Sequence, residues 1–288
     1  MEFTSNNLTF VIVTFNSRKV IYNCLNSLPK DFHKLIIENS SDKKLKKELE
    51  QNYDKTEVIL SKNIGMGAGN NVGIIKSNTQ YVYVLNPDVT LKHDTILNIN
   101  NSISELDNFA ILSPLSDNPG YPNYRSNLSK SLNYNDNIIR DIEEIDGYSM
   151  IINKNFFNNN IFFDEKFFMY LENVDLCLRA KKKGGKLFII KNSKIHHLGA
   201  QAVDDKYSKE IELSRNWHWM WSKLYFNKKH RGILFSSLFG LISLSTNFLK
   251  YFLCILTFNK KRSIYKMRML GIFNAIIGRG SWFRPKIN

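Results

Sequence analysis

The chain has 288 residues, of which 43% are hydrophobic and 23% charged, and its net charge is +14. That length can bury a sizeable core in one large domain or two modest ones, and the composition excludes wholesale disorder. Cys24, Cys177 and Cys254 lie far apart and form no CxxC pair, which argues against a disulfide scaffold and a structural zinc site. The N-terminus MEFTSNNLTF has no basic segment followed by an apolar run, so no secretory signal is expected.

The charge is unevenly placed. Residues 1–205 hold 24 Lys and Arg against 24 Asp and Glu, whereas residues 206–288 hold 16 against 2. A neutral body with a basic tail points to a polyanionic partner, nucleic acid or anionic lipid.

The first half alternates β-branched runs with polar, helix-like stretches. LTFVIVTFN (8–16), KLIIEN (34–39), TEVILS (56–61) and QYVYVLNPDV (80–89) read as strands. Between them, VIYNCLNSL (20–28), KKLKKELEQN (43–52) and the segment opened by NIGMGAGNNVGIIKSN read as helices. This alternation predicts βαβ units and a mostly parallel sheet, with ligands at the carboxyl ends of the strands. Residues 114–137, rich in Pro, Asn and Ser, are expected to form a loop. IDGYSMIINKNFF (145–157) reads as a strand. FFDEKFFMYLENVDLCLRAKKKGG then turns into a helix stopping at Gly184-Gly185, and KLFIIKNSKIHHLG (186–199) reads as one or two strands.

The tail differs. Residues 233–258 carry one charge, Lys250, and have the length of a membrane span. Lys250, Asn247 and the serines make a poor span, and basic clusters flank both ends. A basic, aromatic helix pair at a membrane interface is the expectation, against a true span or a helical hairpin packed on the body.

Several groups carry chemistry. Glu38, Asn39 and Ser40 end a strand, where a carboxylate can accept from a base N–H or a ribose hydroxyl; the same residues also favour a plain turn. The glycines of residues 63–73 would let backbone approach a diphosphate at a helix N-terminus. However, this segment comes third in the sheet and lacks the acidic residue of a dinucleotide fingerprint. Asp88, ending Asn86-Pro87-Asp88, could hold Mg²⁺ or Mn²⁺ beside a phosphate. Glu172 and Asp175 share one helical face, and Arg179 could pair with Asp175. Glu172 is the better candidate for a desolvated general base. One imidazole of His196-His197 could complete a metal site. No GxSxG and no GxxxxGK[ST] occurs, which excludes the commonest hydrolases and P-loop kinases.

In this order the motifs TFN, ENSSD, NIGMGAGNNVGI, LNPDV, DGYSMIIN, FDEKFFMYLENVDLCLRAKKKGG and KIHHLG resemble the family 2 glycosyltransferases, more narrowly the bacterial rhamnosyltransferase-like members. The resemblance spans about residues 8–200. It implies a GT-A fold, a Rossmann-like, mostly parallel central sheet flanked by helices. Residues 1–205 would be the catalytic domain and 206–288 a helical, membrane-associating extension. It further implies that Thr14, Phe15 and Asn16 border the nucleotide, with Glu38, Asn39 and Ser40 at its base or ribose. Asn63, Gly65, Asn71, Asn86 and Pro87 would shape the nucleotide-sugar site, with Gly147 against the sugar. Asp88 and His196 would bind Mg²⁺ or Mn²⁺, and the catalytic group would lie within Glu172, Asn173 and Asp175. Two departures stand out: position 38 is Glu where Asp is usual, and Asn173 occupies the place of the catalytic Asp. The implied reaction is inverting transfer of a sugar, rhamnose from dTDP-rhamnose first, to a polyprenyl-diphosphate-linked saccharide in O-antigen or capsule synthesis. It would take place at the cytoplasmic face of the bacterial inner membrane, with the protein bound peripherally to the anionic surface. The alternatives are a UDP-hexose or UDP-N-acetylhexosamine donor, and an inactive nucleotide-sugar-binding subunit motivated by Asn173. Nucleic acid is not an expected partner, since no RRM, KH or zinc-finger signature accompanies the basic tail.

Overall fold

The computed structural model describes residues 1–103, 106, 108–125, 139–157, 161–199, 201 and 203–285. The part of the expected loop at 126–137 lies outside them. The chain divides into two units: residues 1–164 with 173–204, and residues 165–172 with 205–288.

The first unit is a mixed sheet with helices. β1 (Leu8–Thr14), β2 (His33–Glu38), β3 (Thr56–Leu60) and β4 (Tyr81–Leu85) are parallel, with α1 (Arg18–Ser27), α2 (Lys43–Asn52) and α3 (Met66–Lys76) as crossovers. β1 and β4 are buried at every residue, as continuous apolar runs covered on both faces must be. Side chains alternate between faces. Phe10 and Ile12 pack with Ile36 and Tyr83 on one side, and Val11 and Val13 with Ile37, Val82 and Val84 on the other.

Beyond β4 come β5 (Val89–Leu91), α4 (Thr95–Ile103), β6 (Ile111–Ser116), β7 (Tyr124–Arg125), β8 (Ile139–Asp141), β9 (Glu144–Ile145) and β10 (Ser149–Asn153). α5 (Glu172–Lys182) and β11 (Leu187–His197) follow. The sheet order is β3-β2-β1-β4-β10-β6-β11-β5, with β8 also on β11 and the pair β7-β9 separate. β10 is antiparallel to both neighbours, so the mostly parallel expectation holds for the first half and gives way to a mixed sheet in the second. β11 is one strand with a register shift between Ile190 and Lys194. α5 ends where two glycines stand: Gly184 is left-handed at φ 79°, and the Gly185 amide donates to the Ala180 carbonyl at 2.9 Å.

The second unit is helical: α6 (Ser208–Arg231), α7 (Ile233–Leu256) and α8 (Arg262–Ile276). Its core gathers Trp217, Trp221 and Met267, and beside them Met220, Leu224 and Ile272. Trp217 and Trp221, one helical turn apart, fill this interior.

Candidate active site

The strand order sets a switch point. The chain runs β1, β2, β3 to one side and then places β4 on the other side of β1. Open α/β sheets bind ligands at the carboxyl edge there. The loop after β1 turns through Asn16, left-handed at φ 51°, whose amide donates to Ser40 Oγ at 3.3 Å. The Asn39 amide donates to the Thr14 carbonyl at 2.8 Å, and Asn39 Nδ2 to the Gly65 carbonyl at 3.2 Å. These bonds gather Thr14, Phe15, Asn16, Asn39, Ser40 and Gly65 into one wall, and Asn63 lies half-buried on the loop leading to Gly65.

Glu38 is buried at the end of β2, and its carboxylate is turned into its own turn. It accepts from the Ser40 amide at 3.1 Å, the Ser40 hydroxyl, and the Asp42 amide at 2.5 Å. The side chain holds this loop, where the resemblance implied contact with the base or ribose. Asn71 also holds backbone: it donates to the Phe163 carbonyl and accepts from its amide, each at 2.9 Å. Its neighbour Asn70, which the sequence gave no reason to single out, has a buried Oδ1 that meets no protein donor, as does Asn39. Two buried acceptors without donors can receive ligand hydroxyl or N–H groups.

The glycines at the start of α3 and within it have capping and packing roles. Gly65 caps the helix at φ 97°. A Cβ on Gly73 would stand 2.4 Å from Val11 Cγ1, and one on Gly69 2.9 Å from Val13 Cγ2. These two let α3 press on β1.

Asp88 is buried just past β4. Oδ2 lies 3.4 Å from His197 Nε2, and Oδ1 has no protein partner. The Asn86 amide is tied to the Tyr148 carbonyl at 3.0 Å, and the Leu198 amide to the Asp88 carbonyl at 3.1 Å. Burial, helped by the charge of Asp88, pushes the nearby Cys24 thiol up to about 12, so it stays protonated. His197 is clamped by rings: Tyr148 stacks on it at 3.9 Å, and Tyr121 meets it edge-on at 5.5 Å. Gly199 gives Tyr121 room; its φ is 73° and a Cβ there would fall 2.1 Å from the Tyr121 ring.

His196 and His197 alternate on β11. His196 Nδ1 pairs with Asp117 at 2.7 Å, and Asp117 also takes Lys92 at 2.8 Å. The metal expectation fell on His196; the imidazole that faces Asp88 is His197. Among the described residues no three His, Cys, Asp or Glu side chains form a metal cluster. One carboxylate with an open buried oxygen and one imidazole nonetheless suit a divalent cation that takes its other ligands from water and phosphate.

At α5, Asp175 is fully buried and paired with Arg179, Nε to Oδ2 at 2.7 Å, and the same guanidinium donates to the Ile161 and Phe162 carbonyls. This is a structural ion pair. Asn173 Nδ2 donates to the Ile145 carbonyl at 3.0 Å, and a Cβ on Gly147 would stand 3.2 Å from Asn173 Cβ. The amide thus pins the segment that carries Gly147. Glu172 is also buried and belongs to the second unit. The residues before it are strained: Tyr170 and Leu171 are both left-handed, at φ 71° and 68°. Such strain collects at functional positions.

A family model, glycosyl transferase family 2, matches residues 9–178. The low-salt glycan biosynthesis hexosyltransferase Agl10 of Haloferax volcanii is 26% identical, over 83% of this chain and 82% of its own. The rhamnosyltransferase WbbL of Escherichia coli K12 is 23% identical, over 62% of this chain and 79% of its own. Among solved structures, GalNAc-T7 with UDP, GalNAc and Mn²⁺ superposes with a TM-score of 0.55 at 16% identity, over 74% of this chain. The chain spans about half, 51%, of that one. S. aureus TarS 1-349 in complex with UDP gives 0.52 at 15% identity, over 96% of this chain and 93% of that one. These two share the fold, GT-A. The family match takes in β1 to β4, Asp88 and most of α5, and on that ground the chain belongs to the family 2 glycosyltransferases.

Proposed function

We propose that the chain is an inverting, metal-assisted transferase that moves a sugar from a nucleotide donor, dTDP-rhamnose first, to a lipid-linked saccharide in bacterial surface polysaccharide synthesis. The observation that carries it is Asp88, with a buried, unpartnered Oδ1 at the switch point beside His197. The rhamnosyltransferase and hexosyltransferase names of the two relatives support the sugar class.

Asp88 and His197 would hold the divalent cation, which when bound neutralises the diphosphate as it departs. The wall of Asn39, Ser40 and Gly65 would hold the nucleoside, with Asn39 and Asn70 as acceptors. The base is Glu172 by elimination: Asn173 has an amide, which cannot take a proton, and Asp175 is spent on Arg179. Glu172 would accept the proton of the acceptor hydroxyl as its oxygen attacks the anomeric carbon. The basic second unit would face an anionic bilayer at the cytoplasmic side, where polyprenyl-linked acceptors lie.

A UDP-hexose or UDP-N-acetylhexosamine donor is the second reading. It stands beside the first because the Glu38 carboxylate, engaged in its own turn, does not tell thymine from uracil. Thermal shift with dTDP, dTDP-rhamnose, UDP and UDP-sugars, with and without Mg²⁺ or Mn²⁺, decides between them. A larger metal-dependent shift with dTDP-rhamnose supports the first reading, and a preference for UDP the second. A shift without transfer in the assay that follows points to an inactive binding subunit, and no shift with any nucleotide sinks both donor readings.

A further inference from the structure

α7 is built inside out. The side chains it turns into the second unit are small or polar: Ser236, Gly240, Asn247 and Cys254 are its buried residues. Ser236 Oγ donates to the Leu224 carbonyl at 2.9 Å, and Gly240 lets Leu224 come close. The residues it turns outward are large and apolar: Leu234 (86% exposed), Leu238, Leu241, Leu249, Phe252 and Leu256. Only 11% of its most apolar stretch is buried. A helix in water does the reverse. Small residues at the packing seam and bulky apolar residues outside are the arrangement of helices packed in lipid.

We infer that α7 lies in the plane of one anionic phospholipid leaflet, with its outer face among the acyl chains. The inference deepens the lipid-linked reading above and rests on it only for which membrane is meant. The helix is 24 residues, about 36 Å, and is long enough to cross. Cations nevertheless accompany it from its start into its second half, each over an aromatic ring. Arg231 sits over Phe235 at 5.1 Å, Lys223 over Phe239 at 5.5 Å, and Lys250 over Tyr265 at 6.0 Å. A crossing helix would carry Lys223 and Lys250 into hydrocarbon, whereas an in-plane helix keeps every one of them at the headgroups. A second copy of the chain is a poor occupant. Basic clusters stand at both ends, at residues 228–231 and 260–262, so parallel and antiparallel pairing both oppose like charges. The same clusters complement anionic headgroups. This face holds the protein by burial of apolar area as well as by surface charge, in keeping with the interfacial expectation and against a span.

Leu234, Ser245 and Leu256 are spaced by eleven residues and share the outer face. A nitroxide is placed on Leu234→Cys, Ser245→Cys or Leu256→Cys of the full chain; the native cysteines are buried. Depth is read by power-saturation EPR on vesicles of equal parts phosphatidylethanolamine and phosphatidylglycerol. Equal acyl-chain depth at all three positions, with protein retained through a high-salt wash, is the expected result. A deep middle with shallow ends means a span and overturns the proposal. Release by salt with all three labels water-accessible means headgroup adsorption and overturns it too. Protection without vesicles and a doubled mass means self-association, with the same consequence. The triple variant L238E/L249E/F252E changes exposed residues only. It should keep its melting temperature and lose flotation by about tenfold or more; unchanged flotation also sinks the proposal. Its nucleotide-dependent thermal shift, measured separately, tells failure of this inference from failure of the donor reading.

Discussion

Glu172 and Asp175 are three residues apart and carry the same charge; Asp175 is held by Arg179, and Glu172 is the proposed base. Removing the carboxylate charge in Asp175→Asn leaves Arg179 without its buried counter-ion. A loss of about 3 kcal/mol in urea unfolding is expected. Glu172→Gln should instead lower kcat by about 100-fold or more with the melting temperature kept, read as nucleoside diphosphate release. If Asp175→Asn abolishes turnover at unchanged stability, the assignment is reversed. His218 gives a pH dependence. Its Nε2 pairs with the Phe283 carbonyl at 2.8 Å, while Nδ1 is buried with no partner for a second proton. Burial therefore pushes its pKa down from 6.5 to about 4. Between those values the unfolded chain binds the proton and the folded one does not. Stability should fall as pH drops through that window, by up to about 3 kcal/mol, and level off below it. His218→Gln should flatten that part of the urea-unfolding pH profile.

Close approach decides the behaviour of the elements. α3 lies against β1 because positions 69 and 73 have no Cβ, and Gly73→Ala would drive a methyl to 2.4 Å from Val11. A loss of about 1–3 kcal/mol is expected in thermal or urea unfolding. Wild-type stability in this variant would refute the packing role of that glycine. β5 and β11 pair His197 with Val89, one residue past Asp88, and this register selects the imidazole that faces the carboxylate. Tyr148 then holds its ring. Tyr148→Leu should weaken Mn²⁺ binding by about tenfold, measured by EPR of the free ion with UDP present, at nearly unchanged nucleotide affinity without metal. Equal Mn²⁺ affinity in the variant would remove the ring clamp from the site.

For the whole molecule, the division of charge matters more than its sum. The first 205 residues are neutral and the remainder carries the excess, so long-range attraction to an anionic surface belongs to one unit. The screening length shrinks from about 10 Å at 0.1 M salt to about 3 Å at 1 M. The rate of capture by anionic vesicles should therefore fall by about tenfold across that range in stopped-flow mixing, while protein already embedded stays bound. A rate indifferent to salt would deny the basic clusters a role in docking.

β1 and β4 were legible because each is a continuous apolar run buried on both faces, and β2 and β3 because each is a short apolar, β-branched run between helix-like stretches. The end of α5 was legible in its two glycines, and the family in the order of its motifs. β5, α4 and β6 were not read, because they are short or interrupted by polar residues and take their form from the strands beside them. Asp88 could be singled out from its place at a strand end, but the choice of His197 over His196 depends on register with β5. The role of Glu38 depends on the turn its carboxylate closes onto, and that of Trp217 and Trp221 on which face α6 buries. Sequence alone determined what alternates with what along the chain, since hydrophobic burial follows local periodicity. Only the tertiary structure decided which polar atoms are left without partners and which apolar face is left uncovered, since both are set by what the rest of the chain packs against.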